Sequence, residues 1–220
     1  MSSISANVRR ILSELPAGVQ LVVVAKGREP AEVAEAVDAG AEVIGENYVQ
    51  DTLPAQSKVG CRAKWHFIGH LQKNKIKKAL GLFDVIQTVD SLPLAVEIAR
   101  RSSEVGQVTS VLIEVNSGRE SAKSGLFPEK VEEVAAGISL LPHLKVMGLM
   151  TMGPVVDSPA SIRPYFAETR RLFESIARAQ VPNVDMKYLS MGMSDSYKEA
   201  VAEGANMVRL GRAIFGERRV

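Results

Sequence analysis

The sequence alternates eight times between a short apolar run and a segment whose apolar residues recur at helical spacing. The apolar runs are typical of buried strands and lie at residues 21–25, 42–45, 65–69, 83–89, 110–116, 144–150, 186–189 and 206–210. Strict alternation of strands and helices indicates a parallel sheet. Eight such units predict a closed (β/α)8 TIM barrel, and 220 residues is within the range for this fold. The alternative is an open doubly wound sheet, which usually has fewer strands.

An additional helix is predicted in front of the first strand, because Ile4, Val8, Ile11 and Leu15 fall on one helical face. The helices that follow the strands are expected near residues 30–40, 49–60, 73–80, 91–101, 127–138, 165–176, 194–202 and 213–216. Pro54 conflicts with the second of these. No linker, low-complexity segment or convincing internal repeat divides the sequence, so we expect a single domain over residues 1–220.

The composition argues against several classes of partner. The net charge is only +2 and the basic residues are scattered, which is not typical of nucleic-acid binding. No apolar run approaches the roughly 20 residues of a membrane span, and the amino terminus lacks a signal pattern. The one cysteine, Cys61, cannot form an internal disulfide, which suggests a reducing compartment. We therefore expect a cytoplasmic protein that binds neither membranes nor nucleic acids.

Lys26 follows the first strand and is the centre of the functional interpretation. In a barrel it would lie at the carboxyl end of a strand, where such folds bind their ligands. A lysine at a strand end is most often a surface residue whose stem packs on apolar groups. The alternative is an amine that is partly removed from water and reacts as a nucleophile with an aldehyde. The rest of the sequence has to decide between these two interpretations.

The turns after the seventh and eighth strands contain groups that can bind an anion. Barrels often hold a phosphate between these turns, at the amino terminus of a helix. Ser190 and Ser194 offer hydroxyl groups, and Gly192 allows close approach of the backbone. A helix is expected to begin near Ser194 and to direct its free N–H groups at an anion. Gly211 and the backbone N–H of Arg212 offer further donors. The competing interpretation is a helix cap at Ser194 and ordinary turn glycines.

A lysine that reacts with an aldehyde and a phosphate site on the same barrel face together indicate pyridoxal phosphate. The ring nitrogen of this cofactor needs a partner, and Arg209 at the end of the eighth strand could provide one. Because arginine stays protonated, it would leave the ring nitrogen unprotonated and the cofactor a poor electron sink. Alternatively, Arg209 forms a buried ion pair or binds the phosphate.

Longer motifs are distributed along nearly the whole sequence. They are VAK (24–26), GENY (45–48), WHFIGHLQKNK (65–75), EVN (114–116), KSG (123–125), GLM (148–150), LSMGMSD (189–195), VRLG (208–211) and AIFG (213–216). Together these motifs are highly specific, although no single one is. Through them the sequence resembles the pyridoxal phosphate homeostasis protein family of the YggS/PROSC type.

The resemblance implies a barrel like the amino-terminal domain of bacterial alanine racemase, with pyridoxal phosphate bound to Lys26 as a Schiff base. It implies further cofactor contacts: Ser190, Gly211 and the backbone of Arg212 at the phosphate, Arg209 at the ring nitrogen, and Asn47 beside the cofactor. The sequence departs from the family pattern at three of these or neighbouring positions. The family usually has Ser and Thr where this sequence has Ala25 and Gly27, and Thr in place of Arg212.

The same resemblance implies a role in vitamin B6 and amino-acid/keto-acid homeostasis without robust catalytic turnover. It also suggests transfer of the cofactor to pyridoxal phosphate enzymes, and we expect a monomer. One alternative is an amino-acid racemase, and another is a barrel isomerase that acts on a sugar phosphate without a cofactor. Racemisation needs a second acid/base group, which alanine racemase takes from a second domain of a partner subunit. The sequence has ten residues after the eighth strand, so we expect no such domain and negligible racemisation.

His66 and His70 are four residues apart, which is the spacing of two metal ligands on a helix. They flank the end of a strand, where this spacing does not put both on one face, and no third ligand is evident. We therefore expect no metal site. The basic run at residues 72–78 is expected to form a solvated helix face.

Overall fold

A computed structural model describes residues 3–217. Eight parallel strands form a closed barrel in which strands that are consecutive in sequence are hydrogen-bonded neighbours. They are β1 (Gln20–Val24), β2 (Val43–Glu46), β3 (Lys64–Phe67), β4 (Val85–Val89), β5 (Thr109–Val115), β6 (Leu144–Thr151), β7 (Val184–Ser190) and β8 (Met207–Leu210). β8 pairs with β1 and closes the barrel. The predicted (β/α)8 barrel is confirmed, and the open sheet is excluded.

Helices surround the barrel, and the predicted additional helix lies in front of β1. They are α1 (Ile4–Glu14), α2 (Pro30–Asp38), α3 (Val49–Val59), α4 (Ile76–Leu80), α5 (Leu92–Glu104), α6 (Pro128–Ser139), α7 (Arg163–Ala179), α8 (Tyr197–Ala202) and α9 (Arg212–Phe215). Short 3-10 turns precede α4 at 73–75 and α7 at 159–162, and another follows α3 at 60–62. Within residues 3–217, no helix is long and apolar enough to cross a membrane.

The helix after β7 begins later than the sequence indicates. It was expected at Ser194, but α8 begins at Tyr197. Residues 193–196 instead form a turn that is closed from both sides: the Ser196 N–H donates to the Met193 carbonyl, and the Met193 N–H donates to Ser196 Oγ. The helical donors of α8 therefore do not lie at Ser194, and any anion bound there must use the turn itself.

Helix α3 continues through Pro54 in spite of the expected conflict. A proline in a helix removes the hydrogen bond to the carbonyl four residues earlier, which here belongs to Gln50. Gln50 is exposed, so water can satisfy its carbonyl and the helix does not have to break.

The barrel wall separates two buried regions, one between the strands and the helices and one inside the barrel. The outward residues of the strands pack with the helices in one large apolar cluster, which includes Val23, Ile44 and Leu210. The inward residues alternate with these, and at the lower end of the barrel they form small apolar clusters around Val22 and Leu112. Nearer the carboxyl ends of the strands the interior is polar: it contains His66, Gln87, Glu114, Ser190 and Arg209, all buried. This polar layer lies directly beneath the barrel face that was expected to carry the site.

Candidate functional site

A cavity of about 500 Å³ opens at the carboxyl ends of β1, β7 and β8. We call it the Lys26 cavity. It is lined by Val24, Lys26, Arg28, Met193, Ser194, Asp195, Arg209, Gly211, Arg212, Gly216 and Glu217. Of the residues predicted for a cofactor site, it brings together Lys26, Ser194, Arg209, Gly211 and Arg212. The three strand ends meet because β8 pairs with β1 on one side and with β7 on the other.

Lys26 lies two residues beyond β1, on a turn in which the Arg28 N–H donates to the Ala25 carbonyl. Its side chain is half-buried, and its Nζ atom lies 5.3 Å from the centre of the Tyr48 ring. Among residues 3–217, no carboxylate lies within 4.0 Å of this ammonium group. Lys26 therefore presents an amine at the cavity wall that no carboxylate of the described residues engages. Tyr48 is the residue before α3, and its side chain is exposed.

Several backbone N–H groups at the Lys26 cavity have no acceptor among the residues that the structure describes, and four of them lie on the two turns after β7 and β8. These four belong to Ser194, Asp195, Gly211 and Arg212, and we call this group the anion cradle. The two turns that carry them are joined, because the Ala213 N–H donates to Ser194 Oγ over 3.1 Å. The hydroxyl proton of Ser194 remains available to a ligand. Unpaired N–H donors beside cationic side chains are the arrangement that binds phosphate.

The guanidinium group of Arg212 has partners at the rim of the same cavity. It forms an ion pair with Asp195, and Glu217 Oε1 lies 3.5 Å from its Nε atom. The hydrogen bond and charge of Asp195 raise the pKa of Arg212. The side chain of Arg212 is thus engaged with two carboxylates, whereas its backbone N–H belongs to the anion cradle.

Arg209 lies inside the barrel at the floor of the Lys26 cavity. Its Nη1 atom donates to the carbonyl oxygen of Ser190 over 2.9 Å and to Ser190 Oγ over 2.7 Å, and its Nη2 atom donates to the Thr151 carbonyl over 2.8 Å. Burial lowers the pKa of Arg209 to about 10, against the opposing charge of Glu114, so the guanidinium stays protonated at neutral pH. The Nε–H and one Nη2–H have no acceptor among residues 3–217 and remain available to a ligand.

The structure places the hydroxyl of Ser190, which the sequence assigns to a phosphate, in the barrel interior, and its contact with a phosphate stays a prediction. Ser190 is the last residue of β7, is fully buried and does not line the Lys26 cavity. Its Oγ atom donates to Gln87 Oε1 over 2.7 Å and accepts from Arg209. The physical reason is the length of the strand: β7 continues one residue beyond its predicted end at Leu189, so the side chain of Ser190 follows the inward alternation.

Gly192 and Asn47 also lie outside the lining of the Lys26 cavity. Gly192 has φ of +90°, and a Cβ atom there would lie 2.6 Å from the Cβ of Ala200. Packing against α8 is enough to require glycine here, and the sequence-based role of Gly192 in the approach of a ligand stays a prediction. Asn47 lines a neighbouring cavity of about 660 Å³ between the turns after β2 and β3. The sequence-based contact of Asn47 with a cofactor stays a prediction.

Sequence reasoning missed Arg28 and the interior polar residues. Arg28 Nη2 donates to the Gly216 carbonyl over 2.8 Å, and its guanidinium lies 5.0 Å from the centre of the Phe215 ring. It connects the turn that carries Lys26 to the end of α9. The available signal was a basic residue two positions after Lys26 at the same strand end. Glu114 gave a weaker signal, as an acidic residue within an apolar strand; burial and the nearby Asp90 raise its pKa to about 7.

The two histidines with the spacing of metal ligands, His66 and His70, lie in different environments. His66 is in the barrel interior, where burial lowers its pKa to about 4, so its ring is neutral at pH 7. His70 is exposed at the rim, with Nδ1 3.9 Å from Asp90 Oδ2. Among the residues described, no group of three or more His, Cys, Asp and Glu side chains could hold a metal ion.

The sequence matches a protein family and a set of named relatives. The family described as "Alanine racemase, N-terminal domain" matches residues 1–219. A pyridoxal phosphate homeostasis protein of Aquifex aeolicus (strain VF5) is 40% identical over 201 residues, covering 91% of this chain and 87% of the relative. Another, from Synechocystis sp. (strain ATCC 27184 / PCC 6803 / Kazusa), is 36% identical over 213 residues, covering 94% of this chain and 95% of the relative.

Solved structures share the fold over the same length. PipY of Synechococcus elongatus PCC7942 without PLP has a TM-score of 0.90 and 33% identity, covering 97% of this chain and 100% of PipY. PipY with PLP bound has a TM-score of 0.88 and 32% identity, with the same coverage. An alanine racemase of Clostridium difficile 630 has a TM-score of 0.81 at 16% identity and is covered over 56% of its length, which shows a common barrel fold. With these matches, the chain belongs to the pyridoxal phosphate homeostasis protein family.

Proposed function

We propose that this protein binds pyridoxal phosphate in the Lys26 cavity, with a Schiff base between the cofactor aldehyde and Lys26 Nζ. The observation that carries the proposal is the convergence of three complementary groups on one cavity: an amine without a counter-ion among the described residues, a buried guanidinium and the anion cradle. The names of the relatives and the PipY structure with PLP bound support the same ligand.

The three groups fit the three ends of the cofactor. The anion cradle and the Ser194 hydroxyl would hold the phosphate by hydrogen bonds to backbone donors. The remaining N–H groups of Arg209 would donate to the ring nitrogen, which is an acceptor only while it is unprotonated. When bound, pyridoxal phosphate supplies an aldehyde that reacts reversibly with amines. Lys26 would provide the amine that retains it.

We further propose that the protein retains and releases the cofactor in vitamin B6 and amino-acid/keto-acid homeostasis, without robust turnover. Arg209 keeps its proton at neutral pH, so it cannot supply the protonated ring nitrogen that makes the cofactor a strong electron sink. The carboxylates that line the Lys26 cavity, Asp195 and Glu217, lie against Arg212 and are not placed as free bases. Apart from Lys26, no lining side chain among the described residues offers an unpaired acid/base group on a second side of a bound amino acid.

Reconstitution with pyridoxal phosphate tests the binding site directly. We expect a visible absorption band in the wild-type protein and, after borohydride reduction and digestion, an adduct on the peptide that contains Lys26. Lys26→Ala should lose both, while the control Lys73→Ala, an exposed lysine in the turn after β3, should keep both. An adduct on Lys73 or Lys123 in place of Lys26 would contradict the proposal.

Turnover is tested by incubating the loaded protein with L-alanine, L-serine or L-lysine in deuterated water. We expect negligible racemisation and negligible exchange of the α-proton. Rates on the order of 1 s⁻¹ or faster would favour the alternative, a racemase-like enzyme.

Transfer of the cofactor to pyridoxal phosphate enzymes, a monomeric state and a cytoplasmic location belong to the same proposal. If the protein transfers its cofactor, the loaded protein should activate a cofactor-free pyridoxal phosphate enzyme. This activation should be faster than activation by the same amount of free pyridoxal phosphate. Sedimentation of the loaded protein at the mass of one chain, 23.8 kDa, would support the monomer.

A further inference from the structure

A line of hydrogen bonds crosses the barrel interior beneath the Lys26 cavity. Arg209 Nη1 contacts Ser190 Oγ at 2.7 Å, Ser190 Oγ contacts Gln87 Oε1 at 2.7 Å, and Gln87 Nε2 contacts His66 Nδ1 at 2.8 Å. We call these four residues the Arg209 network. Every member is at most 4% exposed, so water does not compete for these contacts. The network joins β7 and β8 to β3 and β4, two pairs of strands that are distant from each other in the sequence.

The direction of every hydrogen bond in the network follows from Arg209. An arginine side chain has donors only, so Ser190 Oγ must accept from it. The hydroxyl proton of Ser190 is then directed to Gln87, which must present its carbonyl oxygen. The Gln87 amide nitrogen therefore faces His66, whose Nδ1 atom accepts. A neutral His66 suits this role, and burial keeps its ring neutral at pH 7.

The same bonds determine where the Arg209 guanidinium lies. Its backbone-directed contacts are to the carbonyls of Ser190 and Thr151, and no carboxylate lies within 4.0 Å of it among residues 3–217. Glu114 acts on it only through its charge at longer range. Within the same residues, the hydroxyl of Ser190 is thus the one side-chain acceptor that orients this buried cation, and Gln87 orients that hydroxyl.

We infer that Gln87 is a positioning residue for the ligand site, which acts through Ser190 to hold Arg209 with two N–H groups directed to the Lys26 cavity. This inference rests on the proposed binding of pyridoxal phosphate. Without the Gln87 oxygen, the Ser190 proton loses its acceptor and the Arg209 contact loses its fixed geometry. The ring nitrogen of the cofactor would then meet a displaced donor, which changes both affinity and the absorption spectrum.

The test combines Gln87→Met, Ser190→Ala and the double variant. We expect each single variant to weaken pyridoxal phosphate binding about tenfold, since one well-oriented hydrogen bond to a charged group has about this effect. Because Gln87 acts through Ser190, the double variant should be no weaker than Ser190→Ala alone. The absorption band should shift in all three. Additive losses in the double variant would overturn the inference.

Thr88→Val is the control for a general loss of structure at β4. Thr88 Oγ1 donates to the Gly69 carbonyl over 2.7 Å and is also buried, but it is outside the Arg209 network. This variant should lower the melting temperature without changing the absorption band or the affinity. If it changes them as much as Gln87→Met does, the effect of Gln87 is merely structural and the inference is wrong.

Nuclear magnetic resonance of the cofactor-free protein separates this inference from the proposed function. The Nη1–H signals of Arg209, both of which are hydrogen-bonded to Ser190, should be protected from solvent exchange in the wild type and lose protection in Gln87→Met. If Gln87→Met does not fold, Gln87→Asn, which is too short to contact both neighbours, replaces it with the same expectation. Unchanged protection would overturn the inference even where the cofactor binds, and a wild-type protein that binds no pyridoxal phosphate would overturn the proposed function alone.

Discussion

The barrel interior and the barrel rim differ in whether their polar groups have hydrogen-bond partners. In the interior, Gln87 and Ser190 have partners for both donors and acceptors, and the structure leaves little freedom to either. At the rim, the four N–H groups of the anion cradle and the Lys26 ammonium have none among the described residues. Burying a polar group is unfavourable unless it is hydrogen-bonded. A polar group at the rim is hydrated by water, which a ligand can replace. The interior polar groups are thus fixed by their partners, whereas the rim keeps unpaired donors that the proposed ligand would use.

Lys26→Ala gives the largest expected effect and tests the rim. Reducible attachment of pyridoxal phosphate should be lost completely, while the free energy of unfolding of the cofactor-free protein should change by less than about 0.5 kcal/mol. The reason is that the half-buried Lys26 side chain makes no ion pair within the described part of the chain. Mass spectrometry after borohydride reduction and chemical denaturation measure the two quantities. A large loss of stability would mean that Lys26 has a structural role that the rim does not otherwise show.

Gly192→Ala should show that the turn after β7 is limited by packing. Its φ of +90° disfavours any side chain, and the new Cβ would lie 2.6 Å from Ala200 Cβ and 2.8 Å from Tyr197 Cα. We expect a loss of about 3 to 4 kcal/mol in the free energy of unfolding, from the left-handed backbone and the clash together.

Gly27→Ala is the matched control for Gly192→Ala. Gly27 also has a positive φ, +69°, but a Cβ atom added there would have no described atom within 4 Å beyond its chain neighbours. It should therefore lose only the backbone contribution of about 1 kcal/mol. Equal losses at the two positions in urea titrations would show that packing against α8 is not what requires Gly192.

The difference between interior and rim also explains what the sequence can predict. The barrel follows from the alternation of strands and helices, and Lys26, Arg209 and Gly211 follow from their places at strand ends, which parallel strands bring to one face. The role of Ser190 could not be found in this way, because a one-residue difference in the end of β7 decides whether its side chain is a turn residue or an inward strand residue.

Gln87 shows a second limit of sequence reasoning. Its contact with Ser190 joins residues 103 positions apart, and nothing in the local sequence of β4 indicates a partner across the barrel. Helix α8 shows a third limit: the reciprocal bonds between Met193 and Ser196 delay its start, and such a turn is settled by backbone geometry that residue types alone do not specify.

Glu46→Gln tests the difference between buried and exposed polar groups at a buried carboxyl group that is only partly hydrogen-bonded. Glu46 lies on β2 beside the helices, is buried, and its Oε2 atom has no hydrogen-bond partner within residues 3–217. Burial, with a smaller contribution from Asp51, raises the pKa of Glu46 from an ordinary 4.5 to about 7. The folded protein therefore binds this proton more tightly than the unfolded chain, and wild-type stability from this group falls as pH rises from about 4.5 to about 7.

Glu46→Gln removes the pH dependence of stability that comes from Glu46. The difference in unfolding free energy between the variant and the wild type therefore isolates this contribution. Relative to the wild type, Glu46→Gln should gain stability across that pH window, by up to about 3 kcal/mol above pH 7. His66, whose pKa is lowered to about 4, makes an opposite contribution in both proteins and cancels in the difference. Glu42→Gln, an exposed carboxylate just before β2, is the control. A difference in unfolding free energy that stays constant from pH 4 to pH 8 would contradict the prediction.

Ser194→Ala gives the smallest expected effect and measures how much ligand binding at the rim depends on side chains. Its Oγ atom accepts one hydrogen bond, from the Ala213 N–H, and the cradle itself is built from backbone donors that the substitution leaves in place. We expect a loss of about 1 kcal/mol in the free energy of unfolding and a loss of tenfold or less in pyridoxal phosphate affinity. Ser158→Ala, which removes an exposed contact with Ser161 far from the cavity, should change neither quantity measurably. If Ser194→Ala abolishes binding, the backbone donors do not suffice to hold the phosphate, and the rim depends on an oriented hydroxyl in the way that the interior depends on Ser190.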